Sequence, residues 1–177
     1  MSDFEPLKRN SYVSGTLHAP QDLKIEQTYF LEKLKRHNRF LHGFGVVEGL
    51  KLNRKGILIK VEPGVALDCA GNEIVVSDIV QADLPPGLPA SATVYLCLRY
   101  AEKPLDANIP IAGSEARALV TESFEIAILS HNPHRNHRHQ KARWLTCGQP
   151  HELALARLRC KSGSWRIDRS YRPPAVK

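Results

Sequence analysis

The spacing of apolar residues changes at Gly43, and that change divides the chain into two unlike parts. Between Gln21 and Leu41 the apolar or interior-tolerant positions Leu23, Gln27, Phe30, Leu34, Asn38 and Leu41 recur every three or four residues, the period of an amphipathic helix. Pro20 and Asp22 suit its first turn, Lys33, Lys35, Arg36 and Arg39 suit the negative end of its dipole, and Gly43 offers a left-handed stop. The spacing predicts one helix over 21–41, roughly 30 Å long at about 1.5 Å per residue. Residues 1–19 show no period and are expected to form an extended arm.

Beyond Gly43 the period becomes two, with turn residues about every 8–12 positions, which predicts short strands joined by tight turns. The expected strands are Val46–Leu52, Ile57–Val61, Val65–Asp68, Glu73–Val76, Thr93–Arg99, Phe124–Leu129, Glu152–Arg159 and Trp165–Asp168. Arg54-Lys55-Gly56, Pro63-Gly64 and Ala70-Gly71-Asn72 mark turns between them. Three stretches are expected as surface loops: Pro85–Pro89, Lys103–Ala116 and His131–Arg143. The fold class expected is therefore mainly β (α+β), a long amphipathic helix followed by antiparallel hairpins that form a sandwich or barrel. With 177 residues, 42% of them hydrophobic, residues 20–177 are expected to make a single β-rich domain with one core.

No apolar run approaches the length of about 18 residues that a membrane-spanning helix needs. The start Met1-Ser2-Asp3-Phe4-Glu5 lacks the basic-then-apolar build of a secretory leader, so a cytoplasmic protein is expected. Cys69, Cys97, Cys147 and Cys160 are scattered without a CxxC pair, and are expected as reduced thiols acting as small buried apolar groups. The net charge of +7 is uneven: residues 131–177 carry 11 Lys and Arg against 2 Asp and Glu, and residues 1–130 carry 14 against 16. A solvated basic face is the favoured reading, and an anionic partner the alternative.

The densest set of metal-ligating side chains is His131, His134, His137 and His139, four imidazoles within nine residues. Four Lys or Arg lie between His131 and Arg143 with no carboxylate, a field that opposes a dication and leaves no acid to orient the rings. An exposed polar loop is favoured over a metal site. Asp68 and Glu73 flank a turn, where Asp more often bonds its own backbone than serves as a general acid. There is no GxSxG, no P-loop and no GxGxxG, and the glycine run from Gly43 to Gly49 comes after a helix instead of opening one. No catalytic residue is assigned. A nucleic-acid-binding reading would use Arg157, Arg159, Lys161, Arg166, Arg169 and Arg172 with Trp165 and Tyr171 as stacking surfaces. The leucines alternating with these arginines favour a half-buried strand.

Three passages carry a family likeness: Asn38-Arg39-Phe40-Leu41-His42-Gly43-Phe44-Gly45-Val46-Val47-Glu48-Gly49-Leu50, then Val61-Glu62-Pro63-Gly64-Val65-Ala66-Leu67-Asp68-Cys69-Ala70-Gly71-Asn72-Glu73-Ile74-Val75-Val76, then Val94–Glu102 with Glu122–Ile126. Over roughly residues 20–130 the chain resembles small structural proteins of bacteriophage tails and phage-like contractile injection systems, in the baseplate or tail-attachment region. The resemblance implies a non-enzymatic building block without cofactor, made in the cytoplasm and then assembled into a phage-like particle. Its partners would be other protein subunits, including further copies of itself. Asn38, Arg39, His42, Gly43, Gly45, Gly49, Gly64, Asp68, Gly71 and Glu73 would hold the helix against the first hairpins. The candidate protein contacts are Tyr12, Phe30, Phe40 and Phe44, because aromatic anchors dominate interfaces.

Overall fold

The computed structural model describes residues 5–85, 87–89, 91–105, 119–135, 147 and 150–176. Residues 5–19 contain neither helix nor strand. Helix α1 spans Pro20–His37 and runs on without a break into a π-helical turn, Asn38–His42. Its start is held by Asp22, whose carboxylate accepts the Ala19 N–H at 2.8 Å, and by Pro20 in the first turn, where a missing N–H costs nothing. Its end is closed by the Gly43 N–H donating to the Asn38 carbonyl at 2.9 Å.

Among the described residues ten strands come after it: β1 Gly45–Gly49, β2 Leu52–Lys55, β3 Leu58–Val61, β4 Gly64–Leu67, β5 Glu73–Val76, β6 Val80–Asp83, β7 Thr93–Leu105, β8 Leu119–Leu129, β9 Leu153–Lys161 and β10 Ser164–Ile167. They form three antiparallel sheets, ordered β1-β4-β5, β2-β3-β6 and β10-β9-β7-β8. The fold is mainly β, with antiparallel sheets and a half-barrel. One buried cluster joins all three sheets, with Ile59 and Val61 from β3, Ile74 and Val76 from β5, Leu96 and Leu98 from β7, and Leu153 and Leu158 from β9. Strands β3 and β5 alternate buried and open residues, as one-sided strands do. Strand β9 is buried along most of its length because it lies inside its sheet.

The structure differs from the sequence reading at four places. The single strand expected over Val46–Leu52 is two strands in two sheets, broken where Gly49 and Leu50 adopt φ of 70° and 54°. The partner ribbon bends at the same level, at Pro63, whose carbonyl accepts the Leu50 N–H at 3.1 Å. Gly49 and Gly64 make that corner possible: a Cβ on Gly49 would lie 2.2 Å from the Pro63 oxygen, and one on Gly64 2.4 Å from the Glu48 oxygen. Strand β6 was not expected at all. Lys103 and Pro104, expected in a loop, belong to β7, which pairs with β8 through Leu105. Past Leu98 that strand has lost β9 as a neighbour, so Pro104 occupies an edge where its missing N–H is tolerated. The rest of that expected loop, 106–116, lies outside the described residues.

The last difference is at the C-terminal end, which pairs with β1. Val46 donates to the Pro174 carbonyl at 2.8 Å and its own carbonyl accepts the Val176 N–H at 3.2 Å. Gly45 is buried against the backbone of Pro174 and Ala175.

Candidate docking surface

Helix α1 is rooted on one turn. Asp68 is 1% exposed and closes the β4–β5 turn from inside. Its Oδ1 accepts the N–H of Ala70 at 2.8 Å and of Asn72 at 2.9 Å, and its Oδ2 accepts the Asn72 side-chain amide at 2.8 Å. This leaves the carbonyls of Ala70 and Gly71 for the helix. Arg39 Nη1 donates to Ala70 O at 2.8 Å and Asn38 Nδ2 to Gly71 O at 2.9 Å. Both side chains are buried, and they leave the helix at the widened π turn, where one inserted residue changes the direction in which side chains point. At Gly71, φ is +88° and a Cβ would sit 2.3 Å from the Lys35 carbonyl oxygen, so the helix backbone rests directly on the turn.

Above that root the helix is bare. None of its 18 residues is buried. Its apolar face points outward: Leu23 is 59%, Phe30 60%, Leu34 53% and Leu41 62% exposed. The opposite face meets the arm, where Arg36 Nη2 donates to the Glu5 carbonyl at 2.7 Å and Asn10 bonds the Asp22 carbonyl. A cavity of about 470 Å³ lies between them, lined by Pro6, Leu7, Ile25, Thr28, Tyr29 and Arg36 among others. Taking a large apolar side chain out of water contributes roughly 1.5–3 kcal/mol. The outward stripe is thus a larger store of association free energy than any scattered exposed residue supplies.

The remaining motif and contact residues are spread around this root. His42 is exposed with its ring 5.5 Å from that of His37, Gly43 ends the π turn, and Glu73 is exposed at the start of β5, opposite Leu67. Asp68 and Glu73 therefore occupy opposite environments, one buried and one in solvent. Tyr12 is exposed on the arm with its ring edge on His18 at 4.7 Å. Phe40 and Phe44 are half-buried, and Phe44 lies 5.4 Å from the His134 ring.

That last contact changes the picture of the His-rich segment, of which His137 and His139 lie outside the described residues. His131 is exposed, but His134, expected in solvent, is 2% exposed. Its Nε2 accepts the Ala154 N–H at 3.0 Å, and its own backbone N–H is bonded to Asn132 Oδ1 at 2.9 Å. A ring nitrogen engaged in this way ties the segment to β9 and is not presented to a metal. Among the described residues no group of three or more His, Cys, Asp or Glu could hold a metal ion.

The basic C-terminal end also has less free charge and fewer stacking surfaces than its sequence offers. Arg157 Nη2 and Arg159 Nε each lie 2.7 Å from Asp168 Oδ2. Hydrogen bonds from Ser170, and then from Arg157, hold the Asp168 carboxyl down at about 2. Trp165 is buried in the core, and Tyr171 packs edge-on against Tyr95 at 5.7 Å with Arg157 over its ring at 5.8 Å. Of the cysteines, Cys69, Cys97 and Cys160 are buried, whereas Cys147, expected inside, is exposed. Burial, then Glu152, pushes the Cys97 thiol up to about 12. Burial also raises Cys69, with further contributions from the Cys147 thiol, to which it is hydrogen-bonded, and from Asp68.

Comparison with known proteins rests on structure alone, since no family model and no curated protein matches the sequence. A chain of the baseplate complex from the type VI secretion system superposes with a TM-score of 0.57 at 14% identity, over 96% of this chain and 42% of that one. The crystal structure of TssK gives 0.55 at 13% identity, over 96% and 42%. A chain of the TssK-TssF-TssG baseplate subcomplex of the type VI secretion system gives 0.55 at 15% identity, over 96% and 62%. This chain therefore spans less than two thirds of the length of these structural neighbours, and the fold it shares with them is one found in type VI secretion baseplate proteins.

Proposed function

We propose that this protein is a non-catalytic structural subunit of the baseplate region of a phage tail-like contractile injection particle. It docks onto neighbouring subunits through the arm of residues 1–19, the outward face of α1 and the free strand edges, and it uses no cofactor. The observation that carries the reading is the bare helix: an amphipathic element 18 residues long with no buried residue is a cost to an isolated protein and an asset to one that assembles. The likeness in fold to type VI secretion baseplate proteins supports the same reading by analogy.

Within it, Asn38, Arg39, Asp68 and Gly71 have an architectural role, fixing the angle at which α1 leaves the sheets of the β-rich domain, residues 20–177. Phe30 in the stripe and Tyr12 on the arm are contact residues, and Phe40 and Phe44 brace the helix root. The protein is made in the cytoplasm and built into the particle afterwards. Quantitative mass spectrometry on injection particles purified from cells that make the chain tests the reading. A fixed ratio to the other baseplate subunits is expected, and intact, functional particles that lack the chain would sink it.

A further inference from the structure

The outward face of α1 has a finer order than amphipathicity alone requires. Gln27, Leu34 and Leu41 are spaced by sevens, as are Leu23, Phe30 and His37, and all six are exposed. The two rows interleave by three and four, the a and d positions of a heptad repeat. Of the helix residues that meet the arm, Gln21, Ile25, Thr28, Tyr29, Glu32 and Arg36 fall at the outer b, c and f positions, and Lys24 at an e position beside the seam. The arm thus covers the back of the helix and leaves the seam clear. One helix cannot bury a heptad seam; a second helix can.

Charge selects the occupant and its direction. Glu26 and Lys33 flank the seam at successive g positions. In a parallel pair each g side chain faces the e position of the next heptad, which here would set Glu26 against the partner's Leu31 and Lys33 against the partner's Asn38, with no ion pair. In an antiparallel pair g faces g. The register that stacks Phe30 on the partner's Gln27, and Leu34 on the partner's Leu23, also sets Glu26 against the partner's Lys33 and Lys33 against the partner's Glu26. Lys33 donates to the exposed hydroxyl of Tyr29, 3.2 Å away, with its ammonium 5.4 Å from the centre of that ring, exposed contacts that exchange with water makes cheap to give up. Because each helix is rooted on its sheets at its C-terminal end, an antiparallel pair sets the two β bodies at opposite ends, and the helix dipoles oppose favourably.

We propose that α1 pairs with α1 of a second copy of this chain as a short antiparallel coiled coil, its two-fold axis between Gln27 and Phe30. This rests on the reading of α1 as a docking element and names what docks there. The test is light scattering on the purified full-length chain from about 1 to about 300 µM, the range over which a small interface of this kind dissociates. A monomer–dimer equilibrium is expected. Glu26→Lys alone and Lys33→Glu alone each create two like-charge contacts and should weaken the dimer at least about fivefold, and the double variant E26K/K33E should restore it. Phe30→Asp should abolish it without moving the melting temperature measured at about 1 µM, where the chain is monomeric, since the site is exposed in the monomer. A dimer or trimer indifferent to the charge reversals, or a double variant that fails to recover, would overturn the proposal. So would a monomer at every concentration, and that result would leave the fixed ratio in purified particles, on which the assembly reading stands, as a separate question.

Discussion

Asp68 shows how one side chain can set the geometry of a whole element. It satisfies two backbone N–H groups and one amide from inside the turn, and this frees the outer carbonyls to receive Asn38 and Arg39. Asp68→Ala should therefore cost about 3 kcal/mol or more in urea unfolding, because buried donors lose their acceptor. That this stretch turns was readable from the Ala70-Gly71-Asn72 run. What the turn receives was not, since Asn38 and Arg39 lie about thirty residues away and nothing in local spacing links them. His134 escaped for a related reason: amid so many exposed-type residues, the single ring that anchors the segment to β9 carries no local mark. The thiols offer a second check at this scale. The raised Cys69 and Cys97 groups should resist a disulfide reagent near neutral pH until the protein unfolds, while Cys147 reacts first; equal rates for all would contradict their placement.

At the level of elements, periodicity located α1 to within a few residues and identified its apolar face. It could not tell whether that face meets this chain or another, because the same 3.6-residue spacing serves both. Exposure decides it, and predicts that Leu34→Ser or Phe30→Ser shifts monomer stability by no more than about 0.5 kcal/mol. A loss of about 2 kcal/mol or more, typical of a core position, would place the stripe against the protein's own sheets. The strands were legible where alternation is clean, as in β5, and not where a chain changes sheets. The break at Gly49 and Leu50 lies in a run whose single glycine marks a bulge as readily as a change of sheet, and β6 is only four residues long, with polar Gln81 and acidic Asp83 as its exposed members. The β9–β10 corner brings a pH dependence. Asp168 is depressed in the fold, so the stability it supplies is complete above the ordinary carboxylate range, near about 4, and is lost as pH falls towards about 2. Melting temperatures between those limits should fall less for Asp168→Asn than for the unsubstituted chain.

For the molecule as a whole, the three small sheets of the described residues share one core and helix α1 stands out from it, a division of labour between a stable body and a projecting contact element. The β body was foreseeable from composition and turn spacing, whereas the three-sheet arrangement depends on long-range pairing that no local pattern encodes. The basic end, which in sequence invited a nucleic-acid reading, commits Arg157 and Arg159 to Asp168 and Trp165 to the core. The most direct measurement of the central claim is size exclusion with light scattering on metal-free protein, co-expressed with the subunits encoded beside it. It should be run at about 1 M salt, where charge contacts are screened beyond about 3 Å. An assembly subunit gives a discrete complex of fixed mass that survives this salt and is lost or reduced with Leu34→Asp. A chain that elutes alone, and associates only with nucleic acid at low salt, would contradict the account.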